Sequence, residues 1–127
     1  KNTFYQQALE FSENLRAPFS IKELQSLQEK LSLSYNQHQS THDLDDPLAI
    51  AAYVITRMPA TYHAIKHCLQ ELPKDFFPQS ILDLGAGPST ASLAALDVWS
   101  SLKYLTLVEN HKLMIDFQQS LWRSLKS

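Results

Sequence analysis

The chain has 127 residues and a formal net charge of −2 at pH 7, a length that suits one domain, or one small domain with part of another. The slightly acidic balance predicts no general attraction to nucleic acid, so any RNA contact would need a local patch. A single cysteine, Cys68, excludes an internal disulfide framework and is typical of a reducing compartment. The sequence shows no signal peptide and no apolar run that could span a bilayer, so a cytoplasmic location is expected.

The amino-terminal part is predicted to be helical. A first helix is expected from Asn2 to Ala17, where Pro18 ends it. A capping-box pattern then predicts a second helix over residues 21–35. The apolar residues of this second helix form one face, which favours packing within the domain over a partner-binding coiled coil. Residues 36–46 are polar, have no helical period and are predicted to be a linker or exposed loop.

Two further helices are predicted before the first strand. Pro47 is a good first residue for a helix, and the largely buried helix predicted after it runs from Leu48 to Arg57. Pro59 should restart or kink the chain because it lacks an amide donor. A separate helix is then expected over residues 60–72, up to Pro73.

A strand, a glycine turn and a helix follow. Phe76 and Phe77 in the connector should pack under the sheet. These two residues, Trp99 and Trp122 are expected in the core rather than on a base-stacking surface. A short apolar run predicts a buried strand, with Ile81, Leu82 and Leu84. The next turn holds Gly85 and Gly87, the only glycines in the chain. Residues 89–99 are predicted to form the helix after it.

The residues of the turn narrow the class of ligand. The sequence has no P-loop pattern, and Thr90 stands where a dinucleotide fingerprint needs its third glycine. Pro88 removes an amide donor from the turn, and the Asp83 carboxylate would repel a phosphate. A positively charged ligand without phosphate therefore suits this turn better.

A second strand is predicted from Lys103 to Glu109, and its last residue lies 22 positions after Gly87. An acid at the end of the second strand, about 20 residues after the glycines, accepts hydrogen bonds from ribose hydroxyls in nucleoside-binding folds. The last segment has helical spacing of its apolar residues Leu113, Met114, Phe117, Leu121 and Trp122.

The pattern Asp83-x-Gly85-x-Gly87, followed by Glu109, resembles the first two motifs of the class I S-adenosylmethionine-dependent methyltransferases. The resemblance implies that Asp83 faces the methionine end of this cofactor and that Glu109 holds its ribose. Ser89 stands where many members carry a third glycine. The alternative is that a tight turn simply needs glycine and that an acid ends the strand. The implied cofactor residues are Asp83, Gly85, Ala86, Gly87, Ser89 and Glu109.

The runs Arg57-x-Pro59-x-Thr61-Tyr62 and Gly85 to Ser92 resemble the methyltransferase-like family of small-ribosomal-subunit proteins, which has bacterial members and mitochondrial members that act in small-subunit assembly. The resemblance covers roughly residues 46–109. It implies an α/β chain, with a helical domain over 1–73 followed by the first part of a Rossmann-like domain over 74–127. Only two strands are identifiable, so the chain is expected to be an amino-terminal fragment of a bacterial member.

The resemblance implies an S-adenosylmethionine-dependent methyltransferase that acts on ribosomal RNA or in ribosome assembly, with the catalytic residues unknown. A non-catalytic assembly factor, which binds the small subunit through a methyltransferase-like scaffold, is the alternative. Arg57, Thr61 and Tyr62 are candidates to cover the cofactor or touch RNA, or else form a helix junction with a buried tyrosine. No metal site is predicted. A homodimer through the exposed sheet edges is expected.

Overall fold

The computed structural model describes residues 2–17, 23, 26, 29 and 47–126. Within the described ranges 2–17 and 47–126, four helices and two strands follow one another: α1 Phe4–Arg16, α2 Pro47–Gln70, β1 Ser80–Leu84, α3 Thr90–Val98, β2 Tyr104–Val108 and α4 Lys112–Ser124. The two strands pair in parallel, with Asp83 opposite Leu107. The predicted α/β class is confirmed.

The predicted second helix lies almost entirely outside the described residues. Three of its positions, Glu23, Ser26 and Glu29, are described, and all three are helical and exposed. The predicted linker over residues 36–46 also lies outside the described part of the chain.

Helix α2 is one continuous helix of 24 residues that contains Pro59, so the prediction of two helices separated at this proline is wrong. Pro59 has no amide hydrogen with which to bond the Ile55 carbonyl, and its ring disfavours helical geometry at Met58. Met58 is nevertheless 1% exposed, and the turns on both sides are anchored by buried Val54 and Tyr62. Tertiary packing therefore overrides the local preference for a break.

The carboxylate of Asp97 on α3 connects three helices. It accepts hydrogen bonds from the backbone N–H groups of Phe4 (2.8 Å) and Tyr5 (3.2 Å) in the first turn of α1. It also accepts one from the Tyr62 hydroxyl of α2, at 2.7 Å. The first amides of a helix have no partner within the helix, and a negative charge there is favourable. Asp97 thus fixes where α1 begins against α2 and α3.

The sheet is covered on one face only within the described residues. Ile81 and Asp83 of β1 alternate with Leu82 and Leu84, which are 61% and 70% exposed. The prediction of a buried strand is therefore wrong for these two leucines. Strand β2 repeats the pattern, since Tyr104 and other residues of the same face are exposed.

The connector before β1 is also more exposed than predicted. Phe76 is 45% exposed and contacts Trp99 edge to face, with ring centroids 5.5 Å apart. Phe77 is 70% exposed, so the prediction that these two rings pack under the sheet is wrong. Both residues precede the amino end of the strand, and Phe76 contacts the segment that follows α3 through Trp99.

The hydrophobic core lies between the helices. It draws its buried residues from α1, α2, α3 and α4: Ala8, Ala49, Ile50, Val54, Met58, Tyr62, Leu93, Ala94, Met114, Phe117 and Leu121. One core thus joins the two predicted domains, and the boundary at residue 73 stays a prediction. Among the described helices, none combines the length and the apolar character needed to cross a membrane.

Candidate functional site

The glycine turn lies at the carboxyl end of β1 and leads directly into α3. Gly85 and Gly87 have φ values of +64° and +54°, in the left-handed region that glycine enters without steric cost. Ser89, the residue before α3, also has a positive φ, +79°. A serine in this conformation is strained and persists only where its surroundings impose it. Ser89 is fully buried, so the surroundings do hold it.

Space remains open beside both glycines. A Cβ atom built on Gly85 or Gly87 would meet no atom within 4 Å. The chain therefore needs glycine at these positions for its backbone conformation, not for close packing against its own atoms. The same open space would let a ligand approach the backbone directly.

Glu109, which follows β2, bridges the two strand ends. One carboxylate oxygen, Oε1, accepts a hydrogen bond from the Gly87 amide at 2.9 Å. The other, Oε2, accepts from the amides of Asn110 (3.1 Å) and His111 (3.0 Å). A carboxylate has about four acceptor positions, so about one remains for a ligand. The structure thus brings Glu109 to the glycine turn that the sequence paired it with.

Helix α4 holds the turn from the other side, through two residues that sequence reasoning did not single out. The Gln118 side-chain amide donates to the Gly87 carbonyl, and the Trp122 indole N–H donates to the Ser89 hydroxyl at 3.0 Å. Gln118 and Trp122 are four residues apart and therefore share one helix face. In the sequence, only this four-residue spacing could have indicated that Gln118 and Trp122 contact the turn together. Met114, one further turn away on the same face, is buried.

Asp83 contacts the start of α3. Its Oδ2 atom accepts a hydrogen bond from the Ser92 hydroxyl at 2.8 Å, and its side chain is half-buried. Since Ser92 lies in the first turn of α3, this contact ties the last part of β1 to the helix after the turn. Asp83 and Glu109 therefore hold the two ends of the same turn, one at Ser92 and one at Gly87.

The candidate residues Arg57, Thr61 and Tyr62 are on α2 and differ in exposure. Thr61 is exposed, and Arg57 is half-buried. Tyr62 is 1% exposed, and its ring stacks on that of Tyr5, with centroids 3.9 Å apart. Burial raises the pKa of Tyr62, and its hydrogen bond to Asp97 raises the pKa further. Tyr62 is therefore buried, which was the alternative to its covering a cofactor or contacting RNA.

One comparison with known proteins gives a match. A family model described as mitochondrial small ribosomal subunit Rsm22 matches residues 47–127. The chain belongs to this family. No curated protein and no solved structure matches the chain.

The Rsm22 match contains every element that builds the candidate site. It begins at Pro47, the first residue of α2, and includes both strands, the glycine turn and α4. Helix α1 lies before the matched region. The Rsm22 family is methyltransferase-like, which agrees in general terms with the resemblance carried by the glycine turn.

The turn fits an adenosyl ligand in two respects. The open space beside Gly85 and Gly87 allows close approach to the backbone, and Glu109 lies at the end of the neighbouring strand. The carboxyl ends of adjacent parallel strands are where such folds bind nucleosides. The two carboxylates near the turn, Asp83 and Glu109, favour a cationic ligand over a phosphate.

Proposed function

We propose that the chain binds S-adenosylmethionine at the glycine turn and belongs to a methyltransferase that acts on the small ribosomal subunit or its RNA. The observation that carries the proposal is the pairing of the turn with Glu109. Two glycines with positive φ and open space beside them are hydrogen-bonded to an acid that ends the neighbouring parallel strand. Membership of the Rsm22 family supports the ribosomal part.

Each site residue has a defined task in this proposal. Glu109 accepts hydrogen bonds from the ribose hydroxyls, and Asp83 offsets the positive charge near the methionine end. Gly85, Ala86, Gly87 and Ser89 supply the backbone against which the ligand packs. S-adenosylmethionine, when bound, supplies a sulfonium methyl group to an acceptor. In this proposal the described residues position the cofactor, and positioning contributes a large part of the rate enhancement of such a transfer.

The Glu109 carboxylate already accepts hydrogen bonds from backbone amides, and this limits how it can bind a ribose. Three of its roughly four acceptor positions already hold backbone amides, whereas two ribose hydroxyls need two positions. One amide bond must therefore give way. The Gly87 amide is the best candidate because Gln118 still holds the carbonyl of the same residue.

Calorimetric titration of the full-length protein with S-adenosylmethionine tests the proposal. Asp83→Ala and Glu109→Ala should weaken binding by roughly tenfold or more, since each removes a charged group and its hydrogen bonds. Asp116→Ala, which removes an exposed acid on α4, should bind as the parent protein does. Unchanged affinity in both site variants would exclude this turn as the cofactor site.

A second function, a non-catalytic assembly factor, is favoured by the hydrogen bonds inside the turn. Both backbone groups of Gly87 and the Ser89 hydroxyl have partners within the chain. A turn whose polar groups already have hydrogen-bond partners within the chain is stable without a ligand and can serve as a scaffold. Ser89, where many methyltransferases carry glycine, favours the same reading.

Methyl transfer to purified small-subunit RNA separates the two functions. An enzyme transfers a labelled methyl group, whereas a scaffold co-sediments with the subunits and transfers none. Binding governed by RNA phosphates should weaken steeply as the salt concentration rises in both cases.

A further inference from the structure

An open cleft of ≈ 360 Å³ lies at the amino ends of both strands. Its walls are the end of α2, the connector that holds Phe76 and Phe77, and the segment from Asp97 to Ser101. The Ser101 hydroxyl donates to the Pro78 carbonyl at 2.6 Å and ties two of these walls together. The glycine turn is at the opposite end of the sheet, about 16 Å away along strands of five residues. The cleft is therefore a separate site.

Exposed aromatic surface distinguishes this cleft. Trp99 supports Phe76 from one side through their edge-to-face contact. Phe77, next to it, is 70% exposed and forms no ring contact with another aromatic side chain of the described residues. An aromatic ring exposed at a surface offers a flat face on which an unpaired nucleotide base can stack.

The charge of the cleft is positive although that of the chain is negative. Lys66 and Lys74 line it, and neither forms an ion pair within the part of the chain that the structure describes. Lys66 lies over the Tyr62 ring, with its ammonium 5.7 Å from the centroid. Among the described residues that line the cleft, Asp97 is the one acidic residue, and its carboxylate already accepts three hydrogen bonds from α1 and α2. Two unpaired lysines beside exposed aromatic rings favour an anionic partner.

We propose that this cleft binds a single-stranded segment of RNA, with a base stacked on Phe77 and phosphates beside Lys66 and Lys74. The inference rests on the proposed action at the small ribosomal subunit, and it assigns that contact to a surface remote from the cofactor turn. An acidic peptide would satisfy the two lysines equally well. The exposed aromatic face favours RNA because every base has a ring that can stack on it.

Fluorescence anisotropy of the full-length protein with a labelled 12-nucleotide single-stranded RNA of mixed sequence tests the proposal. Phe77→Ala should weaken binding roughly 5- to 150-fold, the range for loss of one stacked base. Phe77→Leu should lose nearly as much, since it keeps apolar volume but has no ring, and Phe77→Tyr should bind as the parent does. Because the side chain is largely exposed, these changes should leave the fold intact.

The lysines are tested through the salt dependence of binding. In the double variant Lys66→Gln/Lys74→Gln, the slope of log K against log salt should become shallower by roughly 1.4, as expected for two lost contacts to single-strand phosphates. Lys126→Gln, an exposed lysine outside this cleft, is the matched control and should keep the parent slope.

Three results would overturn the inference: a parent protein that does not bind the RNA, equal affinity of Phe77→Ala and the parent, or full binding by Phe77→Leu. The last would mean that apolar volume at this position, not a ring on which a base stacks, holds the RNA. Titration of the same variants with S-adenosylmethionine separates this inference from the proposed function. Cleft variants should bind the cofactor normally, and Glu109→Ala should bind the RNA normally. The experiments can therefore exclude either proposed binding site without excluding the other.

Discussion

At the scale of single residues, buried Tyr62 and its half-buried partner Asp97 show how one polar pair organises the helices. Tyr62 stacks on Tyr5, contacts His63 edge to face, lies under Lys66 and donates its hydroxyl hydrogen to Asp97. A buried hydroxyl needs such a partner, because leaving it unpaired costs about 1–3 kcal/mol. The hydrogen bond requires that Tyr62 keep its proton.

This requirement predicts a pH dependence of stability. The pKa of Tyr62 is raised above its ordinary value of 10.0, so the folded chain keeps this proton where the unfolded chain has lost it. The contribution is complete below about pH 10 and is lost as the pH rises above that value. Urea unfolding between about pH 9 and pH 11 should therefore show a steeper loss of stability for the parent than for Tyr62→Phe, by up to about 1.4 kcal/mol per pH unit.

Tyr104→Phe provides the control for this experiment, since it removes an exposed tyrosine hydroxyl. Its stability should change with pH as that of the parent does over the same pH range. Equal slopes for the parent and Tyr62→Phe would contradict a pKa of Tyr62 raised by burial and by the Asp97 hydrogen bond, because Tyr5, His63, Lys66 and Asp97 are present in both proteins.

Two residues of α4 form hydrogen bonds with the glycine turn. Trp122→Phe keeps the ring but removes the N–H group that donates to Ser89, and Gln118→Ala removes the donor to the Gly87 carbonyl. Loss of one such hydrogen bond is worth about 1 kcal/mol, so each change should weaken S-adenosylmethionine binding about fivefold in calorimetry. The chains should remain fully folded at the temperature of the titration.

Gln119→Ala is the matched control, because Gln119 is exposed on the same helix. It should leave the affinity unchanged. If Gln118→Ala and Trp122→Phe also bind like the parent, α4 supports the fold but does not position the turn.

At the scale of elements, α2 contains the main conflict between local preference and tertiary structure. Pro59 interrupts the hydrogen bonding of a helix whose neighbouring turns are buried. Pro59→Ala restores an amide donor for the Ile55 carbonyl, which should raise the free energy of unfolding by about 1–3 kcal/mol. The greater freedom of the unfolded chain reduces this gain by about 0.4–1 kcal/mol.

Urea unfolding of Pro59→Ala measures this effect, with exposed Thr61→Ala as the control from the same helix. The control should change stability by at most about 0.5 kcal/mol. A Pro59→Ala protein no more stable than the parent would mean that the helix is built around the proline ring.

At the scale of the whole molecule, local patterns predicted the order of the elements. The two glycines with an apolar run before them and small residues after them located the strand, turn and helix, and the acid 22 residues later located the end of β2. All of these signals lie between residues 81 and 109. The two strands and the helices on either side of them followed from these signals.

Features that depend on distant packing were not predictable in this way. Asp97 contacts amides more than 90 positions away in sequence, and no local sequence pattern predicts that contact. Whether Leu82 and Leu84 are covered depends on what lies across the sheet, not on the strand itself. The roles of Gln118 and Trp122 likewise depend on how α4 packs. The cytoplasmic location and the homodimer stay predictions.

The central claim is that the glycine turn and Glu109 together bind S-adenosylmethionine. Ultraviolet crosslinking of radiolabelled S-adenosylmethionine to the full-length protein, followed by peptide mapping, tests it most directly. The label should fall on peptides within residues 83–109 and should disappear when excess S-adenosylhomocysteine competes. Label confined to other peptides, or label that the competitor does not displace, would contradict the claim.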